Sequence, residues 1–274
     1  MKVSRVILLK EPRNDEDEDP YMLLFANAGY ETRFVAPLCA TAVEQTRLQE
    51  LIAKGPATRF SGVIFTSKRA VSAWNDAAST LPCPPTSRWS EVPFFVVGPS
   101  TGEMLASVHC NGRPTRIIGS QRSGTGALLA DLIIREHATE LKGTERPLLF
   151  LTGDKTRDTL PIKLAAADLA LEQMQVYQTT DSPRFQDELA AALRELGKDE
   201  QTWLAFFSPS GVRAVRATLE CSPRTAVDQA SLRVAAIGPT TEEALRKTDL
   251  FEVHAIADQP EPESLLEAMQ RYES

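Results

Sequence analysis

The sequence holds little of what metal sites, disulfide scaffolds and membrane spans require. Its 274 residues include three histidines and four cysteines, and no two cysteines form a Cys-x-x-Cys pair. The cysteine spacing therefore favours neither a zinc site nor a disulfide framework, so we expect reduced thiols. No apolar run approaches the ~18 residues that a membrane-spanning helix needs.

Positive charge is in the minority, because 30 lysines and arginines face 37 aspartates and glutamates. A net charge of −7 gives no general attraction for phosphates, so we expect neither nucleic acid nor a membrane as a partner. The first apolar stretch, residues 6–9, is too short for a signal peptide, and no small-residue cleavage site follows it. This pattern predicts a cytoplasmic protein.

Several catalytic motifs are absent. Residues 10–13, after the first predicted strand, are Lys-Glu-Pro-Arg instead of the Gly-x-Gly-x-x-Gly of a dinucleotide site. No Gly-x-Ser-x-Gly elbow is present, and His109, His137 and His254 lie in poor contexts for a hydrolase base. We therefore do not expect standard nucleophilic catalysis.

What the sequence does contain is an alternation of short apolar runs with helix-length segments, which is typical of parallel βα units. The runs form two series of five, at residues 6–10, 32–37, 62–66, 94–98 and 115–118, and then at 147–152, 173–179, 204–208, 234–238 and 252–255. The chain length favours two domains. We predict an α/β protein with two similar doubly wound parallel-sheet lobes.

The two series also match at their strand ends, which indicates an internal duplication. Residues 63–67 resemble residues 205–209 at an offset of 142, and residues 96–101 resemble residues 236–241 at an offset of 140. Ligands of open parallel sheets bind outside the carboxyl ends of the strands, so we expect the chemistry in a cleft between the two lobes.

The predicted strand ends are rich in hydroxyl groups and glycine instead of acids. Such groups cap helices, and they also bind anions, because the first amides of a helix are unpaired donors. Each group alone is more simply a cap, whereas four of them in matched pairs favour a shared anionic ligand. Lys68, Arg69, Arg157 and Arg233 are the nearest basic residues in the sequence, and each alone is more simply a surface charge.

An ordered set of motifs spans nearly the whole chain. The motifs are Leu-Leu-Lys at 8–10, Asp-Pro-Tyr at 19–21, Ile-Phe-Thr-Ser-Lys-Arg-Ala-Val at 64–71, Val-Tyr-Gln-Thr at 176–179, Phe-Phe-Ser-Pro-Ser-Gly at 206–211 and Ala-Ala-Ile-Gly-Pro-Thr-Thr at 235–241. Together they resemble the uroporphyrinogen III synthase family in its eukaryotic form.

The resemblance implies a lyase of haem biosynthesis that needs neither cofactor nor metal. Members of the family cyclise hydroxymethylbilane to uroporphyrinogen III with inversion of ring D and loss of water, through a spiro intermediate. The substrate is a linear tetrapyrrole with eight carboxylates, handed on by the preceding pathway enzyme, and the family implies a monomer. A non-catalytic two-lobed binding protein for a polycarboxylate is the alternative.

The resemblance also implies roles for individual residues. Tyr177 is the candidate proton donor for departure of the hydroxyl, and a packed aromatic side chain on a hinge strand is the equal alternative. Arg233 falls where the family often has lysine, and Arg157 follows the strand that ends near Thr152. The residues implied to bind substrate are Thr66, Ser67, Thr101, Arg157, Ser208, Ser210, Arg233, Gly238, Thr240 and Thr241.

The resemblance further implies that the lobes are interleaved and joined by a two-strand connection. One lobe would combine residues 1–36 with 179–274, and the other would hold residues 38–177. Hinge strands would lie near residues 34–38 and 175–179, which predicts that the lobes close over the substrate.

Overall fold

The computed structural model of the chain describes residues 4–12, 19–56, 59–83, 88–108, 112–139, 145–194, 201–221 and 232–274. The chain divides into two compact units. Unit 1 comprises Met1–Cys39 and Thr180–Ser274, and unit 2 comprises Ala40–Thr179. Unit 1 is therefore built from two separate segments, and the chain passes from one unit to the other twice.

Strands and short helices alternate along the described residues, except that the second strand is followed directly by the third. The strands are β1 (Ser4–Leu9), β2 (Tyr30–Phe34), β3 (Leu38–Ala42), β4 (Gly62–Phe65), β5 (Phe94–Val96), β6 (Ile117–Ile118), β7 (Leu148–Gly153), β8 (Leu171–Asp181), β9 (Thr202–Phe206), β10 (Leu232–Ala236) and β11 (Ala255–Ile256). The helices are α1 (Pro20–Asn27), α2 (Gln45–Lys54), α3 (Lys68–Ser79), α4 (Pro99–Ala106), α5 (Gly126–Thr139), α6 (Thr159–Ala165), α7 (Phe185–Arg194), α8 (Pro209–Cys221), α9 (Pro239–Arg246) and α10 (Pro262–Glu273).

Unit 1 contains a five-stranded sheet in the order β11-β10-β9-β1-β2. Strand β1 pairs in parallel with β2 and β9, and β10 pairs in parallel with β9 and β11. Because successive side chains of a strand face opposite sides, Val6 packs into a core with α1 and α10, whereas Ile7 packs into a core with α7, α8 and α9. Helices on both faces explain why β1 is a continuous apolar run.

Unit 2 contains a six-stranded sheet in the order β3-β8-β7-β4-β5-β6. The pairs β4–β5, β4–β7, β5–β6 and β7–β8 are parallel. Val63 and Phe65 of β4 pack with α2, α3 and α4, while Ile64 packs with α5 and α6. The predicted class, α/β with parallel doubly wound sheets, is confirmed in both units.

Strand β3 was not predicted from the sequence. Its residues, Leu-Cys-Ala-Thr-Ala, are partly or fully exposed and show no apolar alternation. It lies beside β8 at the edge of the unit 2 sheet. Both β3 and β8 contain a position at which the chain passes between the units. Pairing between strands distant in sequence, not local hydrophobicity, therefore makes this segment a strand.

The expectation of reduced thiols is correct for Cys39 and wrong for Cys83, which takes part in a disulfide bond. Across the described ranges, no helix is both long and apolar enough to cross a bilayer. The same residues include no group of three or more His, Cys, Asp or Glu side chains placed to bind a metal.

Candidate functional site

Each sheet has one point at which the strand order reverses. In unit 1 this point lies between β1 and β9, and in unit 2 it lies between β4 and β7. The chain leaves neighbouring strands in opposite directions there, so a crevice opens outside their carboxyl ends, where ligands of doubly wound folds bind. The candidate site therefore consists of two sets of strand-end groups, one in each unit.

At the carboxyl end of β9, two serines form the start of α8. The Oγ of Ser208 accepts a hydrogen bond from the Gly211 amide at 3.2 Å, which makes Ser208 an N-cap residue. The Oγ of Ser210 lies 2.8 Å from the Oγ of Ser208. A Cβ at Gly211 would lie about 4.0 Å from the carbonyl oxygen of Leu9, so this helix start borders the end of β1. The serines thus lie at the strand-order reversal of unit 1.

The next strand, β10, leads into α9 through Gly238 and Pro239. The carbonyl of Gly238 accepts hydrogen bonds from the amides of Thr241, at 3.1 Å, and Glu242, at 3.0 Å. Thr241 is only 3% exposed, and within the described chain its hydroxyl makes no hydrogen bond. Thr240 is exposed. A Cβ at Gly238 would meet nothing within 4 Å, so open space adjoins this turn.

Arg233 does not lie with these groups, which corrects the prediction that it is near the strand ends. It is the second residue of β10, so roughly 16 Å of extended strand separates it from Gly238. Its guanidinium lies 5.7 Å from the centre of the Tyr272 ring, on α10. The pKa of the neighbouring His254 is lowered by burial and by the charge of Arg233. The arginine therefore belongs to the amino end of the sheet.

A buried ion pair at the end of β1 was not predicted as part of the site. The Lys10 ammonium lies 2.6 Å from a carboxylate oxygen of Asp19, which is fully buried. The other oxygen of Asp19 accepts the Tyr21 amide at 2.9 Å and so caps α1. The ammonium also lies 4.8 Å from the centres of the Tyr21 and Phe34 rings. A cation directly after the first strand, followed by Asp-Pro at a helix start, is the sequence signal for this pair.

In unit 2, Thr66 and Ser67 follow β4 directly. Ser67 is the N-cap of α3, where its Oγ accepts the Arg69 amide at 3.1 Å. Its hydroxyl hydrogen is not used by this bond and can donate to a ligand. Thr66 is partly buried, and no hydrogen bond of its side chain is found in the described ranges. Both residues lie at the strand-order reversal of unit 2.

The turn after β5 has the same Gly-Pro sequence pattern as the turn after β10. Gly98 precedes Pro99 of α4 with φ 78° and ψ 161°, a conformation open essentially to glycine alone. Thr101 is only 5% exposed, and its hydroxyl makes no hydrogen bond to the part of the chain that the structure describes. Thr101 and Thr241 therefore occupy equivalent positions in the two units, buried at the first turn of a short helix.

Tyr177 of β8 lies against Gly153, the last residue of β7. Thr152 pairs with Gln175 and Gly153 pairs with Tyr177, so one extra residue on β8 forms a β-bulge between them. The ring of Tyr177 occupies the space that a Cβ of Gly153 would need. Its hydroxyl makes no hydrogen bond to any described residue. The phenol is thus held at the carboxyl end of β7 with its hydroxyl unused.

Arg157 lies in the exposed loop between β7 and α6. In the described chain it has no ion-pair partner. It follows β7, whose last residue is Tyr177's neighbour Gly153, so Arg157 lies at the carboxyl end of this sheet. The predicted residues of unit 2 are therefore all at carboxyl strand ends, and in unit 1 Arg233 alone is not.

These features define a class of protein: an α/β protein of two parallel-sheet units whose carboxyl strand ends carry helix amides and hydroxyl groups. Residues 20–267 match the family model described as HEM4, Uroporphyrinogen-III synthase HemD. The chain is 30% identical to uroporphyrinogen-III synthase of Saccharomyces cerevisiae over 77% of this chain and 76% of that one. It is 29% identical to that of Schizosaccharomyces pombe over 90% and 89%.

Among solved structures, uroporphyrinogen-III synthetase of Helicobacter pylori is similar with a TM-score of 0.48 and 17% identity, over 98% of this chain and 99% of that chain. By the extent of the family match and the identity to the yeast protein, the chain belongs to the uroporphyrinogen-III synthase family. It is a lyase that cyclises hydroxymethylbilane in haem biosynthesis. The alternative of a non-catalytic binding protein is not favoured.

Proposed function

We propose that the strand-end hydroxyls and amides of both units bind the carboxylates of the tetrapyrrole. Tyr177 donates a proton to the hydroxyl group of the tetrapyrrole, which then leaves as water. The residues that donate hydrogen bonds to these carboxylates are Thr66, Ser67, Thr101, Arg157, Ser208, Ser210, Gly238, Thr240 and Thr241. Arg233 is left out because it lies at the opposite end of its strand.

The observation that carries this proposal is the matched pair of buried threonines, Thr101 and Thr241. Neither hydroxyl has a hydrogen-bond partner in the described chain, although both residues are almost fully buried. Neither hydroxyl oxygen is among the fully enclosed unsatisfied polar atoms, so a ligand can reach both. A carboxylate can accept the hydrogen of each hydroxyl, and the neighbouring helix amides are further donors.

The chemistry asks mainly for positioning. Loss of the hydroxyl as water leaves a reactive azafulvene, which closes by itself. If it closes without inversion of ring D, it forms the type I isomer. The protein must hold ring D so that its substituted carbon attacks first and gives a spiro intermediate, which fragments and closes again inverted. Many fixed carboxylate contacts supply this orientation, which is why a site of amides and hydroxyls suffices.

The isomer of the product tests the reaction directly. Purified protein is added to freshly generated hydroxymethylbilane, the products are oxidised, and the isomers are separated. We expect type III product well above the amount formed without protein. If only the type I isomer accumulates, the chain does not perform the inversion.

Tyr177→Phe tests the proton donor. We expect kcat to fall roughly 100-fold, as for loss of a general acid, because the hydroxyl leaves poorly as hydroxide. KM should stay within about twofold, since the ring is kept. Tyr272→Phe on α10 is the matched control and should behave as the unaltered chain. An unchanged rate for Tyr177→Phe would remove Tyr177 from the mechanism.

The proposal includes a monomeric enzyme that acts in the cytoplasm on substrate handed on by the preceding pathway enzyme. Acidic net charge supports the absence of nucleic-acid and membrane partners. Light scattering of the eluting peak in gel filtration should give the mass of one chain, 30.1 kDa. A mass of two chains would contradict the monomer.

A further inference from the structure

We propose that Gly153 and Asp154 are positioning residues for Tyr177. Gly153 leaves the space that the phenol ring fills, and Asp154 holds the part of β8 that follows Tyr177. The inference rests on the proposed role of Tyr177 as proton donor, and it names the groups that give this side chain its place.

The strand register is the first feature that positions Tyr177. Residues 148–152 of β7 pair in order with residues 171–175 of β8, and then the bulge brings Tyr177 instead of Val176 opposite Gly153. Met174 and Val176 are buried in the core of unit 2, and Tyr177 packs against that core while remaining partly exposed. The bulge therefore changes which side chain faces the end of β7.

The absence of a side chain at Gly153 is the second condition. A Cβ there would overlap the Cε2 and Cζ atoms of the Tyr177 ring and lie 2.7 Å from its hydroxyl oxygen. Ordinary non-bonded contacts between carbon atoms are about 3.5–4.0 Å long. Any residue other than glycine must therefore push the phenol aside by about 1 Å or more.

The backbone conformation of Gly153 isolates this effect. Gly153 is not among the glycines with positive φ, so alanine can adopt its backbone angles. Substitution by alanine then adds a methyl group without backbone strain, and its effect reports the displacement of the Tyr177 ring.

Asp154, the residue after Gly153, is the third feature that positions Tyr177. Its Oδ1 accepts two hydrogen bonds from Thr179, from the amide at 3.1 Å and from the hydroxyl at 3.3 Å. Thr179 is two residues beyond Tyr177 on β8. These two bonds join the loop after β7 to β8 just past the bulge. They therefore fix the direction in which the Tyr177 side chain extends from β8.

The strand pairing also relates the Tyr177 ring to the other unit 2 residues that are proposed to bind the substrate. Phe65 of β4 pairs with Leu151 of β7, so Ser67 and Gly153 each lie two residues beyond this pair. These are the two strands between which the sheet order reverses. The phenol therefore lies at the same level of the sheet as Thr66 and Ser67, which we propose to donate hydrogen bonds to substrate carboxylates.

Kinetics of single and double variants test the inference. The set is Gly153→Ala, Tyr177→Phe, the double variant Gly153→Ala/Tyr177→Phe, and Gly124→Ala as the matched control, because a Cβ at Gly124 would meet nothing within 4 Å. For each variant kcat, KM and the ratio of type III to type I product are measured, and thermal unfolding shows that it is folded.

We expect Gly153→Ala to lower kcat roughly 10- to 100-fold, because a misplacement of about 1 Å costs on that order, with KM within about twofold. In the Tyr177→Phe background the same alanine should change kcat by less than about threefold, since no phenolic proton is left to misplace. Gly124→Ala should match the unaltered chain.

Asp154 gives a second measurement should Gly153→Ala fold poorly. Asp154→Asn keeps the Oδ1 acceptor for Thr179 and should retain kcat within about threefold, whereas Asp154→Ala should lower kcat roughly tenfold. A crystal structure of Gly153→Ala should show the Tyr177 ring displaced.

The outcomes separate the two proposals. If Tyr177→Phe is impaired while Gly153→Ala and Asp154→Ala turn over normally, the positioning inference is overturned and the proton donor stands. Equal losses from Gly153→Ala with and without the phenol also overturn the inference. If Tyr177→Phe is as fast as the unaltered chain, the role of Tyr177 fails, and the inference fails with it.

Discussion

Hydrogen bonding separates the buried side chains near the strand ends into those that are paired within the protein and those that are not. Lys10 and Asp19 form a pair that is nearly withdrawn from water, and Asp19 also caps α1. Thr101 and Thr241 are equally buried, but no hydrogen bond is found for either hydroxyl in the described ranges. The same kind of position therefore holds a satisfied charge in one case and an available donor in the other.

Asp19→Ala tests the stabilising role at this scale. We expect the free energy of unfolding to fall by about 3 kcal/mol or more, because the variant leaves the Lys10 charge buried beside aromatic rings and removes the cap of α1. Urea unfolding followed by circular dichroism measures the change. Glu243→Gln, which breaks an exposed pair with Lys247, is the control and should leave the midpoint unchanged. Similar losses in both variants would contradict this account of Asp19.

At the scale of elements, the strand–Gly–Pro–helix turn occurs once in each unit with different backbone geometry. Gly98 has φ 78° and ψ 161°, whereas Gly238 is extended at φ 165° and ψ 178°. The first conformation excludes side chains, and the second accepts any residue. Sequence similarity at residues 96–101 and 236–241 therefore does not mean that both glycines are required for the same reason.

Replacement of each glycine by alanine distinguishes the two turns. Gly98→Ala should lower the free energy of unfolding by about 1–3 kcal/mol, the cost of strained backbone. Gly238→Ala should leave stability within about 0.5 kcal/mol, because its Cβ meets nothing within 4 Å. It should nevertheless raise KM severalfold, since the added methyl takes space that we assign to a substrate carboxylate. Unchanged KM for Gly238→Ala would remove this turn from the site.

At the scale of the whole molecule, both units carry the same arrangement of groups at their strand ends. The two units are nevertheless not the two halves of the sequence. The repeat predicts a division near the middle of the chain, whereas unit 1 joins Met1–Cys39 with Thr180–Ser274. Each unit has a parallel sheet with a strand-order reversal and a buried threonine after a Gly-Pro turn. The lobe boundaries at 1–36 with 179–274 and at 38–177, and the hinges near 34–38 and 175–179, stay predictions.

Valine variants of Thr101 and Thr241 test whether both units contribute to one reaction. Valine keeps the shape and removes the hydroxyl, so each variant should raise KM roughly tenfold through loss of a hydrogen bond to a charged group. The double variant should raise KM by about the product, roughly 100-fold, if the sites are independent.

Stability and a control complete that test. Removal of a buried hydroxyl that has no partner in the protein should leave the unfolding temperature equal or higher. Thr218→Val is the control, because Thr218 is as buried but its hydroxyl donates to the Ala214 carbonyl at 2.9 Å. It should lose some stability and keep its KM. An effect of only one of the two site variants on KM would restrict carboxylate binding to one unit.

The sequence by itself determined the α/β class, the parallel sheets, the hydroxyl-rich strand ends and the family, because these depend on local periodicity, capping residues and short motifs. Only the tertiary structure decided that β3 is a strand, that Arg233 lies at the wrong end of β10, that Lys10 pairs with Asp19, and that Tyr177 lies on Gly153. These facts depend on strand order, register and one bulge, which arise from pairing between residues distant in sequence and leave no local pattern.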